Sequence, residues 1–384
     1  MNFFEGYDFY IFLMLALLPA IVLGLWKKPL RWYTLILSIF FIGVVFYKKP
    51  EQLFYLIVFY MIECMVVKGY LFLRNRYGRI EWLYYVAIGV GIMPLVLSKC
   101  APLFHGNIFG FLGISYLTFK SVQMIIEIYD GIITEVPLLE YTGYVLFFPT
   151  LSSGPIDRSR RFHEDWNKVY ERKEYLNLVG DGLFKLLLGL VYKIVFAAIF
   201  YQGVQYFEQS NTLVYLIGYA YAYGGYMFFD FAGYSLMAIG TSYILGVRTP
   251  DNFRKPFLAI DMKDFWDRWH ITLSHWFRDF IFSRFIMKCV RKKWIKSRLT
   301  RAFVGFLVNM FLMGMWHGLN PSYLLYGIYH GVLLGCTEIY QKKSNFYRKY
   351  KDKKSYQIVS WFVTMQMVMF GFLIFSERIL MIFK

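Results

Sequence analysis

Three short segments place histidines in oily surroundings. In "FWDRWHITLSHWF", residues 265–277, His270 and His275 stand among Trp266, Trp269 and Trp276. In "GMWHG" (314–318) and "GIYHG" (327–331), His317 and His330 each sit inside a G-x-x-x-G frame. An imidazole in a low-dielectric cavity has its charged form disfavoured and stays neutral near pH 7. A neutral imidazole can take a proton from a hydroxyl as that hydroxyl attacks an acyl donor. A thioester donor is already activated, so this transfer needs no metal. A proton-coupled transporter or flippase could use the same groups, and spacing alone does not separate the two.

His317 stands out because a helix end and the Asn320-Pro321 turn follow it. A turn at membrane depth is tolerated only where it is buried in protein or lines a cavity. His270 stands out because it faces away from Asp267, Arg268, Arg278 and Asp279. Trp266, Trp269, Leu273 and Trp276 share one helical face, with His270 and Ser274 on the next. Trp266, Trp269, Trp316 and Asn320 are the candidates for lining a substrate passage, although tryptophans of this spacing also form interfacial belts. The G-x-x-x-G frames let helix backbones approach closely, so His317 or His330 could equally bond between packed helices. His275 reads as structural or surface, and His105 and His163 have no context that singles them out. Asp181 and Lys185, four apart, read as a satisfied buried pair. Asp230 and the Glu127/Asp130 pair stay unranked.

The elements that must hold these groups are membrane helices. Of the 384 residues, 58% are hydrophobic and 22% aromatic, and the mean hydropathy is +0.43. A soluble domain is nearer half apolar. The net charge of +17 is clumped between apolar segments. That is the positive-inside pattern, not a nucleic-acid footprint. Apolar runs near the ~20 residues needed to cross a bilayer fall at about 7–26, 30–47, 52–73, 82–99, 108–126 and 138–153. More follow at about 178–205, 212–229, 232–247, 302–319, 321–340 and 356–376. The expectation is an all-α, polytopic integral membrane protein with ten to twelve spans in one domain, 1–384. Lys27, Lys28 and Arg31 follow the first run, which places the N-terminus outside. The basic connections 284–301 and 341–355 belong on the cytoplasmic side. Two spans then fill 302–340, and His317 lies roughly 22–24 Å from the cytoplasmic end of the first. Residues 157–175 mix both signs and predict an amphipathic surface helix. Cys64, Cys100, Cys289 and Cys336 predict buried thiols, with no metal site. No Walker A, HExxH, CxxC or G-x-S-x-G motif is present, which argues against phosphate-loop enzymes, zinc enzymes and nucleophile-elbow hydrolases.

"FWDRWHITLSHWFRDF" with "MGMWHG", His270 to His317, resembles the membrane-bound O-acyltransferase family. "FLGISYLTFKSVQMIIEIYDG" (111–131), "FFPTLSSGPIDR" (147–158), "FFDFAGYSLMAIG" (228–240) and "TPDNFRKPF" (249–257) fit the same pattern, so the likeness runs over most of 108–335. The resemblance implies a helical ring around a membrane-embedded tunnel. It implies His317 as the catalytic histidine and His270 as the second motif position. Within the family the chain looks most like the branch that D-alanylates teichoic acid. Leu236 stands where alginate O-acetyltransferases typically carry Asp, although acetyl transfer to a cell-surface polysaccharide remains the alternative. The branch implies a D-alanyl donor on the phosphopantetheine of an acidic cytoplasmic carrier protein, with no cofactor bound by the chain itself. Delivery is toward lipoteichoic acid, with other membrane proteins of the same system, in the cell membrane of a Gram-positive bacterium. Independently, Ser283, Phe285, Ile286, Val290, Arg291 and Lys292 combine apolar and basic character, a surface fit for docking an acidic helical partner. Ordinary positive-inside charge explains the basic residues equally well.

Overall fold

The computed structural model describes residues 2–101 and 110–382. His105 and residues 108–109 of the fifth apolar run lie outside the described residues. Regular structure among the described residues is helical apart from one isolated bridge, Asn2 to Glu5. The helices are α1 (Tyr7–Leu25), α2 (Arg31–Phe46), α3 (Pro50–Tyr77), α4 (Glu81–Cys100), α5 (Ile114–Tyr129) and α6 (Leu138–Val145). Next come α7 (Ser159–Trp166), α8 (Arg172–Val191), α9 (Ala197–Phe207), α10 (Leu213–Ile244), α11 (Met262–Trp266) and α12 (Ile271–Phe277). The last are α13 (Ser283–Lys292), α14 (Arg298–His317), α15 (Pro321–Lys343), α16 (Asn345–Tyr350), α17 (Lys354–Phe375) and α18 (Arg378–Ile382).

Six helical segments among the described residues are long and apolar enough to cross a membrane: α1, α3, α4, α8 running through α9, α14 and α17. α1 shows why. Phe9, Leu13, Leu17 and Ala20 are buried, while Ile11, Leu15, Leu18 and Val22 are exposed. A helix that is apolar on its exposed face as well as its buried one has lipid as its solvent. The remaining runs of the expected ten to twelve map onto α2, α5, α6, α10 and α15, which are shorter or less apolar. The chain divides into two compact units, one of residues up to Leu190 with Gly233–Pro250, the other of Val191–Ala232 with Asp251 onward.

In the first unit, α8 and α10 meet glycine against glycine: a Cβ on Gly182 would lie 2.8 Å from the Gly240 carbonyl oxygen. Tyr175 donates its hydroxyl to the carbonyls of Ile244 (2.7 Å) and Ala20 (3.1 Å). The run 138–153 is not a span. It is the two-turn helix α6, followed by a tight turn at Phe148–Thr150. Pro149, Gly154 and Pro155 deny it a continuous helix. Its buried carbonyls need donors, and Lys120 supplies them: its ammonium, 1% exposed, reaches Tyr144 O (3.0 Å), Val145 O (3.4 Å) and Thr150 Oγ1 (3.0 Å).

Other expectations change shape. The runs 212–229 and 232–247 are one helix, α10, because Gly224 and Gly225 serve packing rather than a turn. A Cβ on Gly224 would come within 2.8 Å of the Met369 sulfur, and one on Gly225 would strike the Phe200 ring. The surface segment 157–175 holds α7 and only the start of α8, with Arg161 clasped between Asp157 and Asp165. Asp181 is exposed, so it makes no buried pair with Lys185, which packs over the Tyr243 ring. Only Cys289 of the four thiols is fully buried, and Cys336 is exposed.

In the second unit, α14 and α15 form an antiparallel hairpin turning at Gly318–Asn320, as the Asn320-Pro321 pair predicts. The G-x-x-x-G frames set its separation. A Cβ on Gly327 would press on the Met310 carbonyl oxygen (2.5 Å), and one on Gly331 on the Leu307 Cα (2.9 Å). Lys193 pairs with Asp230 at 2.5 Å, where a π-turn, Tyr192–Phe196, joins α8 to α9.

Candidate active site

His270 sits between α11 and α12, outside the six spanning segments. Its backbone is left-handed (φ 43°, ψ 53°), a conformation costly for a residue with a Cβ. The segment 249–257 enforces it. The Asn252 carbonyl accepts from Ile271 N (2.8 Å), its Oδ1 accepts from the Thr272 hydroxyl (2.5 Å), and Arg254 N donates to Arg268 O (3.0 Å). The ring is 4% exposed, and neither nitrogen has a hydrogen-bond partner among the described residues. Phe231 packs edge-on against it, ring centroids 4.6 Å apart. Burial, and then the nearby His317, lower its pKa, so the imidazole is neutral and both nitrogens are uncommitted.

His317 is the last residue of α14, roughly 28 Å along the helix from Arg298 at 1.5 Å per residue. It is half-buried in an aromatic box: Trp316 at 4.5 Å, Phe375 edge-on at 4.9 Å, Tyr323 at 6.0 Å and Tyr326 at 6.4 Å between centroids. The two histidines that sequence spacing singled out, 47 positions apart, are thus within electrostatic reach of each other.

The tryptophans divide. Trp266 donates Nε1–H to His330 Nδ1 at 3.4 Å and lines a cavity of about 220 Å³. Lys263, Asp267, Ser274, His275, Arg278 and Asn309 give that cavity its polar wall. Trp269 lines none of the described cavities. It is packed among Phe253, Phe257, Phe265 and Phe372. Trp316 stands against His317. Asn320 is the N-cap of α15, its Oδ1 accepting from Ser322 N at 3.1 Å, and so holds the turn after His317. His330, 1% exposed, is wedged against Gly371 of α17 and serves packing.

On α13 the proposed docking residues are graded. Ser283, Phe285 and Ile286 are half-buried, while Val290, Arg291 and Lys292 are exposed. Met287 and Trp294, 60% and 59% exposed, extend the apolar part of that surface. A π-turn at Arg278–Phe282 joins α12 to α13 and shares Arg278 and Phe282 with the cavity. Among the described residues no cluster of three or more His, Cys, Asp or Glu could hold a metal ion.

Residues 95–383 match the MBOAT family, the membrane-bound O-acyltransferases. The chain belongs to that family. A teichoic acid D-alanyltransferase of Bacillus subtilis (strain 168) is 39% identical over 98% of this chain and 98% of its own length. One from Lacticaseibacillus rhamnosus is 38% identical over 97% and 96%. A probable alginate O-acetylase of Pseudomonas syringae pv. tomato is 29% identical over 70% of this chain and 49% of its own length. This acyltransferase is therefore a multi-pass membrane enzyme.

Sequence reasoning missed several groups of the candidate site. Asn309, 7% exposed, has no partner for its Oδ1 among the described residues. It stands eight positions before His317, two turns down the same face of α14. A polar residue at that spacing in an apolar helix was a usable signal. Asn252, Phe231, Tyr326 and Phe375 come from distant parts of the sequence and gave none.

Proposed function

We propose that this acyltransferase moves D-alanyl groups from the phosphopantetheine thioester of an acidic carrier protein to a hydroxyl on the outer side of the membrane. The groups are destined for lipoteichoic acid, with other membrane proteins of the same system taking part. The observation that carries the reading is His317 in its aromatic box, within reach of a neutral, unpartnered His270. His317 accepts the hydroxyl proton as the oxygen attacks the thioester carbonyl. The C–S bond breaks as the C–O bond forms, and the proton passes to the departing thiolate. His270, held neutral by burial, orients donor or acceptor. The cavity bounded by Trp266, Asn309 and Met313 has room for a slender thiol-bearing arm, and Arg278 and Phe282 of the π-turn that leads into α13 line it. The exposed Val290, Arg291 and Lys292 of α13 offer an acidic helix apolar and charged contacts together. The near full-length likeness to proteins called teichoic acid D-alanyltransferases favours D-alanyl over acetyl transfer.

The test is a single-turnover assay of the purified protein with radiolabelled D-alanyl carrier, run beside an acetyl donor. His317→Ala should slow loss of the thioester by on the order of 10²–10⁴-fold, while carrier binding holds. Full turnover in that variant removes His317 from the chemistry. Val290→Asp should instead raise KM for the carrier by about tenfold with kcat unchanged.

A further inference from the structure

A second cavity, of about 620 Å³, lies between α15, α16 and α17 in the second unit. That is the size of a ligand site, and the transfer chemistry makes no use of it. Its wall is apolar, built from Leu333, Cys336, Val359, Val363 and Met367, with Thr337 bonded back to Leu333 O. Its mouth is aromatic. Tyr347 packs on Tyr340 (5.6 Å), Phe346 on Tyr350 (4.7 Å), and Tyr356 donates to the Tyr340 hydroxyl at 3.4 Å. Beyond the mouth the charge is one-sided. Residues 341–355 hold seven Lys or Arg against the single acid Asp352. Lys351 lines the cavity, and Lys349 and Lys353 lie over the Tyr350 ring at 5.3 and 4.9 Å. At the inner end Asp261 is compensated, accepting from Lys263 N, Asp264 N and Gln341 Nε2 at 2.9 to 3.0 Å.

We infer that this groove is a binding site for an anionic glycerophospholipid of the cytoplasmic leaflet. The acyl chain lies along Cys336, Val359 and Val363, and the phosphate sits among Lys349, Lys351 and Lys353. Each part fits. An apolar slot alone would accept any lipid. A basic cluster alone would be ordinary positive-inside charge. Here the cations and tyrosines rim the same slot, so headgroup and chain are recognised together. The inner end reaches Asp261, the N-cap of α11, the helix that carries Trp266. An occupied groove therefore braces the element that sets the Trp266–His330 contact. The inference stands apart from the identity of the transferred acyl group.

The test is native mass spectrometry of the full-length protein in detergent with equal phosphatidylglycerol and phosphatidylcholine. The wild type should retain phosphatidylglycerol over phosphatidylcholine by on the order of tenfold. The exposed triple variant Lys349→Gln, Lys351→Gln, Lys353→Gln should lose that preference with its melting temperature unchanged in lipid-free detergent. Val363→Trp, which fills the slot, should reduce retention of both lipids. Equal retention by the wild type, a preference that survives the triple variant, or one untouched by Val363→Trp would overturn the assignment. So would hydrogen-exchange protection of 341–355 by an acidic protein but not by phosphatidylglycerol.

Discussion

Lys120 and His270 are both almost wholly buried and both lie among aromatic rings, but their hydrogen bonding is opposite. Lys120, in the first unit, directs its ammonium at three acceptors, all within 3.4 Å. An ammonium has three protons, so nothing is left over for a substrate. His270, in the second unit, has two ring nitrogens and no partner for either among the described residues. A buried polar group left open costs about 1–3 kcal/mol, and its strained backbone adds to that cost. The difference separates a polar group satisfied within the fold from one left open, as the proposed chemistry requires. Burial alone, which both share, does not.

The comparison can be broken at four places. Lys120→Met leaves two backbone carbonyls and a hydroxyl orphaned. It should destabilise the protein by about 3 kcal/mol or more, read as a lower melting temperature and less folded protein, while the folded fraction keeps its turnover. His270→Asn should do the reverse. Asparagine tolerates the left-handed backbone, so thermal stability should hold while transfer falls by on the order of 10²-fold; unimpaired turnover would make His270 structural. Asn309→Leu removes a partnerless acceptor and should raise stability by about 1 kcal/mol while slowing transfer severalfold. A loss of stability would mean that Asn309 belongs with Lys120. Glu63 on α3 is one of several exceptions in the first unit, a buried carboxyl with no hydrogen-bond partner for either oxygen among the described residues. It lies beside Gly91, far in sequence from the histidine motifs. Glu63→Gln should change turnover by less than about twofold. A large loss there would show that open hydrogen-bonding capacity does not mark one site.

Much of the site was legible because its residue types are rare in apolar sequence. His317 could be placed from length alone: a basic stretch, about twenty apolar residues, a histidine, a Pro turn. The structure gives α14 those bounds. His270 was legible as a polar residue turned from its charged neighbours, but its backbone was not, because the left-handed turn is imposed by Asn252 from eighteen positions upstream. The surroundings of Trp269 were not legible, because one helical face looks the same whether it meets a cavity or four phenylalanines. Apolar runs misled where glycine served packing, as at Gly224 and Gly225. They misled also where a buried lysine let an irregular chain stand in for a helix, as after Val145.

The sequence by itself determined that this chain lives in a membrane, and which few ionisable groups stand where lipid or protein must surround them. Those are one-dimensional facts, since transfer free energy and helix length accumulate along the chain. Only the tertiary structure decided which buried polar groups are satisfied. A hydrogen bond depends on atoms brought within about 3 Å, and the partners of Lys120 and the strap on His270 arrive from elsewhere in the chain.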